Sequence, residues 1–199
     1  MQPVTNRRTL LLLEGDSDVA AVQAYAARIG CDLGSRQVHA CSAHGVTNFP
    51  RLLAAFLHEF PGARACGMYD VADARHVRRA LVAAGTPVQA GEPLESFGFY
   101  ACVSDLEDEL LRALGSDAVE RVLESQGELA SFRRFQAMPQ HRERPVHEQL
   151  HRFLGTRATR KIRMAQRLVE VVDLARMPRP LALLMATILA PVGDREASE

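Results

Sequence analysis

Thr9-Leu10-Leu11-Leu12-Leu13-Glu14-Gly15-Asp16-Ser17-Asp18 reads as a short, almost wholly apolar strand that stops at an acidic turn. A run without polar alternation has no face to give to water, so this strand belongs inside a parallel sheet covered on both sides. The residues that follow agree. Val19, Val22, Ala26 and Ile29 recur at helical spacing, Asp16 or Ser17 can cap that helix, and Gly30 can end it. The same strand-then-helix unit recurs three times. Residues 36–43 predict a second strand, and residues 49–60 a helix with Phe49, Leu52, Leu53, Phe56 and Phe60 on one face. Residues 63–69 predict a third strand ending at Asp70. The helix after it, at 74–84, has Val77, Leu81 and Val82 inward and Arg75, Arg78 and Arg79 outward. Residues 97–103 supply an aromatic and β-branched fourth strand, followed by a helix at 105–114. Alternation of this kind implies right-handed crossovers and an α/β fold: a parallel sheet of about four strands flanked by helices.

Beyond Gly115 only helical patterns appear, broken near Pro139, Pro145, Gly155 and Pro178. The expected organisation is an α/β core at 1–115, a helical extension at 116–192 and a flexible tail at 193–199. At 199 residues, 47% apolar, the chain is long enough for one well-buried core plus an accessory segment. The longest apolar run, 181–192, contains Pro191 and falls far below the ~20 residues a membrane-spanning helix requires. Four leucines after Arg7 and Arg8 are too few for a secretion signal, and no small-residue cleavage site follows them, so the expected location is the cytoplasm. Cys31, Cys41, Cys66 and Cys102 form no C-x-x-C pair, which favours reduced thiols over a zinc site or a disulfide framework.

Net charge is zero, yet its distribution is uneven. Residues 1–110 carry 9 Arg against 13 Asp and Glu, whereas residues 131–179 carry 11 Arg and 1 Lys against 4 acids. Carboxylates gathered in one half and cations in the other suit an enzyme that holds metal and receives a phosphate backbone; a solvated helical face is the plainer alternative.

In open parallel sheets ligands bind beyond the carboxyl ends of the strands. Here those ends are acidic: Glu14 with Asp16 and Asp18, Asp70 with Asp73, and Asp105 with Glu107. Any one of these acids could simply cap its helix. Together, brought to one edge, they repel and call for a cation; hard oxygen donors without His or Cys suit Mg²⁺ or Mn²⁺, in a two-ion arrangement for phosphodiester chemistry. Asp108 and Glu109 are expected to face solvent. Lys161 is the single lysine beside 23 arginines. A compact ammonium there can neutralise developing phosphate charge, and Gly155-Thr156-Arg157-Ala158-Thr159-Arg160-Lys161 opens a helix where a phosphate is welcome. His147 and His151, one helical turn apart, read as a solvated face rather than as metal ligands. His44, beside Gly45, lies at the acidic edge.

Leu11-Leu12-Leu13-Glu14-Gly15 and Tyr69-Asp70-Val71-Ala72-Asp73 resemble the strand-Glu-Gly and strand-Asp motifs of a Toprim domain. The arrangement is most similar to the C-terminal Toprim part of overcoming-lysogenization-defect (OLD) nucleases. Glu14-Gly15-x-x-Asp18, the turn at His44-Gly45-Val46-Thr47-Asn48-Phe49, Ser104-Asp105-Leu106-Glu107-Asp108 and the Thr156-to-Lys161 stretch extend the likeness over about residues 9–165. It implies a metal-dependent DNA nuclease. Glu14, Asp18, Asp70, Asp73 and Glu107 would hold metal, Glu14 and Lys161 would act in catalysis, and Arg157, Arg160 and Arg163 would meet nucleic acid. Toprim domains usually show Asp-x-Asp, whereas here the second acid is Asp73. Such nucleases also usually carry an ATPase, yet no G-x-x-x-x-G-K-[ST] loop is present. The expectation is a stand-alone Toprim nuclease, compatible with a separately encoded ATPase and with a homodimer. Other readings stay open: another Toprim nucleotidyl-transfer or RNA-processing activity, and a catalytically silent nucleic-acid-binding or regulatory module.

Overall fold

A computed structural model of the chain describes residues 8–190; the expected tail at 193–199 lies outside the described residues. Four strands form one sheet: β1 (Thr9–Leu13), β2 (Val38–Ser42), β3 (Arg64–Asp70) and β4 (Phe99–Cys102). All pair in parallel, in the order β2-β1-β3-β4. From β1 the chain winds outward to β2, then returns past β1 to β3 and on to β4. The winding therefore reverses between β1 and β3, and the carboxyl ends of those two strands flank a crevice that backbone connections do not fill.

The all-leucine strand is explained by its two neighbours. Leu11 and Leu13 join one apolar cluster, and Leu10 and Leu12 join the other, each at most 4% exposed. The second cluster is completed by Phe49 and Leu53 of α2 (Phe49–Glu59) and by Val77 and Leu81 of α3 (Ala74–Ala83). The first is covered by α1 (Asp16–Arg28), α8 (Ala158–Val171) and α9 (Arg179–Leu189). Against them lie α4 (Leu106–Leu114), α5 (Ser116–Ser125), α6 (Leu129–Gln136) and α7 (Val146–Leu154). Truncating a leucine such as Leu11 to Ala would cost about 2–5 kcal/mol. Gly67 of β3 has no room for a side chain: a Cβ there would lie 2.2 Å from the Leu12 carbonyl oxygen and 3.1 Å from the Phe99 ring.

The C-terminal helices share the core with the first hundred residues. α1 packs along α8, and α9 lies against β3 and β4. Arg28 Nη1 donates to the Val169 and Val172 carbonyls, both at 2.6 Å, satisfying acceptors that the end of α8 leaves open.

Several local expectations shift. Strands β2 and β4 each begin two residues later than the sequence pattern suggests. The cap of α1 is Gly15, neither Asp16 nor Ser17; the Asp18 carboxylate accepts the Gly15 N–H at 2.9 Å. Val82 is 54% exposed, and Ala80 takes the inward place on α3. All four cysteines are free, and burial pushes the Cys66 thiol up to about 12, which leaves it unreactive. No helix among the described residues is long and apolar enough to cross a membrane.

Candidate metal centre

The crevice between β1 and β3 collects carboxylates because each strand runs straight into an acid. Glu14 follows β1, and Asp70 ends β3. The two ends are tied together, since the Asp70 backbone N–H donates to Glu14 Oε1 at 2.9 Å. The short 3₁₀ turn Val71–Asp73 then swings Asp73 back, so that one oxygen each from Glu14, Asp70 and Asp73 lies within 4.8 Å of the others. His76, one turn into α3, holds Asp73 Oδ1 at 3.0 Å.

Three further acids and one lysine close around this triad. Asp18 stands in the first turn of α1. Asp105 follows β4 and caps α4, accepting the Asp108 N–H at 2.8 Å. Glu107, on the same helix, is 2% exposed; Lys161 Nζ on α8 stands 3.2 Å from its Oε2, but neither carboxylate oxygen receives an aligned hydrogen bond from the described residues. Glu14, Asp18, Asp70, Asp105, Glu107 and Lys161, with Gly15 and Gly45, line a cleft of about 220 Å³.

The acids differ in how they tolerate the cleft. Burial, then the charges of Glu14, Asp105 and Asp18, push Asp70 up to about 8. Burial, then Glu107, raises Asp18 to about 7. Glu14 is raised by burial too, against the opposing hydrogen bond from Asp70. Asp105 runs the other way: burial works to raise it, but hydrogen bonds from His151 and from the Asp108 N–H hold it below the usual carboxylate range. Burial opposes the charge on Lys161, yet Glu107, Asp105 and Asp18 keep it above its ordinary value, so it is a cation.

A hard divalent cation fits this donor set. The clustered ligands are all carboxylate oxygens, with no thiol among them, which favours Mg²⁺ or Mn²⁺ over zinc or copper. The raised proton affinities of Glu14, Asp18 and Asp70 state the same need, because carboxylates crowded in a buried cleft call for positive charge.

The residues singled out from the sequence separate here. Glu14, Asp18, Asp70, Asp73, Glu107 and Lys161 converge, although Asp73 joins through a 3₁₀ turn rather than the Asp-x-Asp spacing. Asp16 points outward, 3.9 Å from the exposed His44, and neither lines the cleft. Arg160 is turned inward: it is 5% exposed, stacked 3.9 Å over the Phe153 ring, bonded to Thr156, and paired with Glu128 at 2.9 Å. Arg163 shares Glu128, whereas Arg157 is exposed. Asp108 and Glu109 do not face open solvent. The start of α4 packs against α7, where Asp108 meets His147 at 2.6 Å and Arg112 at 2.7 Å, and Glu109 meets Arg112 at 2.9 Å. His147 and His151 are therefore partners of acids rather than a solvated pair; His151 Nε2 lies 2.7 Å from Asp105 Oδ2. Sequence reasoning missed this role. Their spacing of four, which puts both rings on one face of α7, is the signal that could have found it.

A parallel sheet of this order, with Glu-Gly after β1 and Asp at the end of β3, defines a Toprim-type α/β fold. Within that fold, residues 7–70 match the family described as overcoming lysogenization defect protein-like, TOPRIM domain. Two solved structures share the fold across most of the chain. The C-terminal region of the Burkholderia pseudomallei OLD protein is 22% identical with a TM-score of 0.65, covering 92% of this chain and 96% of that one. The C-terminal region of the Xanthomonas campestris pv. campestris OLD protein is 20% identical with a TM-score of 0.66, covering 92% and 94%. No curated protein matches the sequence significantly.

Proposed function

We propose that this chain is a metal-dependent nuclease that hydrolyses DNA phosphodiester bonds at the crevice between β1 and β3. The observation that carries the reading is the convergence of Glu14, Asp70 and Asp73 oxygens within 4.8 Å, with the only lysine of the chain across the cleft. Glu14, Asp18, Asp70, Asp73 and Glu107 would hold Mg²⁺ or Mn²⁺, in all two ions. A bound ion supplies positive charge for the phosphate and acidifies a water. The protein's own residues do the rest. Glu14, fixed by the Asp70 N–H and raised in proton affinity, is placed to take a proton from an attacking water. Lys161 Nζ offers charge to a non-bridging phosphate oxygen, and Arg157 lies exposed at the start of α8 to meet the strand. In this reading residues 1–115 carry the acids and residues 116–192 complete the site through Lys161. A separately encoded ATPase and a homodimer are compatible with it. Supercoiled plasmid incubated with the protein and Mg²⁺ or Mn²⁺ tests it: nicking that chelator, Asp70→Ala and Lys161→Ala each abolish is the expected result. Absence of nicking by folded, metal-binding protein at any metal concentration would refute activity of the chain alone.

A further inference from the structure

We propose that the larger cavity beside the acidic cleft receives one unpaired nucleotide of the substrate strand, next to the bond that is cut. This inference rests on the nuclease reading and names the form of its substrate. The cavity has a volume of about 720 Å³, within the range of small-molecule sites and far larger than a metal ion needs. It is bounded by α4, α6, α7 and the start of α8. Asp105, Glu107 and Lys161 line both this cavity and the acidic cleft, so an occupant of the first reaches the second without leaving the protein surface.

Its walls carry the two features a nucleotide requires. One is a free cation. The acids of the cavity are already matched, Asp105 by His151, Glu107 by Lys161 and Glu148 by Arg144. Arg152 has no partner among the described residues and is exposed. An unpaired guanidinium offers a planar fork for phosphate oxygens. The other feature is an aromatic wall. His141 lies flat on Phe135, with centroids 3.8 Å apart and planes 17° from parallel, and Phe135 is braced edge-on by Phe153. No hydrogen bond to Nδ1 holds the His141 ring; the Gln149 amide grips its carbonyl instead, and stacking fixes the ring. Such a surface accepts the face of any base.

A cation for phosphate, a flat π-surface for a base and a passage to the metal-holding acids match the parts of a single nucleotide within a strand. A base inside a duplex is stacked on both sides and cannot reach such a wall. Occupancy therefore selects strand ends, gaps, loops or flaps over uninterrupted duplex.

Calorimetric titration of the full chain in chelator with dAMP, deoxyribose 5-phosphate and inorganic phosphate tests this directly. The expected result is that dAMP binds several-fold tighter than either baseless phosphate. Arg152→Ala should weaken dAMP about tenfold, and His141→Ala should reduce dAMP to the level of the sugar phosphate, with circular dichroism confirming the fold. Equal binding of dAMP and inorganic phosphate, or dAMP binding unchanged by Arg152→Ala, overturns the inference. Because Arg152 is exposed, its replacement leaves folding intact and that outcome stays readable. Plasmid nicking that persists without base-dependent binding refutes this inference and spares the nuclease reading; base-dependent binding by a protein that never nicks does the reverse.

Discussion

The acids that end β1 and β3 and the acids that begin α4 are three and four in number, and both groups are partly buried, yet they have opposite solutions to the same electrostatic problem. On α4 every carboxylate has a basic partner in the protein: Asp105 has His151, Glu107 has Lys161, Asp108 has His147 and Arg112, and Glu109 has Arg112. Around Glu14, Asp70 and Asp73 the only side-chain partner of opposite type among the described residues is His76, and Asp70 rises to about 8. The first group has basic partners as folded, with only Glu107 keeping both oxygens free of an aligned hydrogen bond; the second has far less to offset it. A carboxylate cluster left unmatched is evidence for a ligand, because the same chain demonstrably knows how to match its other acids.

The largest expected effect falls on the unmatched group. Asp70→Asn should weaken Mn²⁺ binding by more than roughly a hundredfold while leaving the apo protein at least as stable as the parent, because one repelling charge is gone. A loss of stability instead would show that Asp70 is a structural acid. Next in size is a pH effect. Asp18 and Asp70 bind protons more tightly folded, near 7 and 8, than unfolded, near 4. Between those limits the folded state holds more protons, so apo stability falls as pH rises. The melting temperature should drop by several degrees from about pH 5 to about pH 8, and Mg²⁺ should restore it at the upper end. The α4 pair runs differently. His151 is raised, so its contribution is full below the unfolded value and fades as pH rises through the folded one; Asp105 is lowered, so its contribution fades only in acid. His151→Gln should therefore leave the metal-reversible slope in place, and a flattened slope would merge the two groups.

Breaking a matched pair gives the third effect. Lys161→Met leaves Glu107 buried without its cation and should cost about 2 kcal/mol in denaturant unfolding, less than a fully enclosed pair because the ammonium is partly solvated. Adding Glu107→Gln should recover most of that loss; additive losses would mean that the two side chains are not coupled. The smallest is His147→Gln, expected to cost about 1 kcal/mol because Arg112 still faces Asp108.

The sheet was legible because β1 is apolar on both faces, a pattern that only a doubly covered strand satisfies, and because Gly30, Gly85 and Gly115 punctuate the units. The acids at strand ends were legible for the same reason, since the topology alone sends them to one edge. What stayed hidden depends on tertiary packing. Nothing local distinguishes Arg160, buried against Phe153 and Glu128, from the exposed Arg157 three residues earlier. Asp108 and Glu109 look like an outward pair until α7 is laid across the start of α4. The 3₁₀ turn after β3 likewise compensates for a spacing that departs from Asp-x-Asp, which is a geometric fact without a sequence signature of its own.

The packing of α1 along α8 has a consequence for how the molecule comes into being. Some 130 residues separate the two helices, and the bonds from Arg28 to Val169 and Val172 span 141 and 144 positions. During synthesis α1 leaves the ribosome some 130 residues ahead of α8, and its apolar face waits uncovered for that partner. A contact of such long range predicts folding that is slow for the size of the chain, with an interval in which that apolar face is open to aggregation.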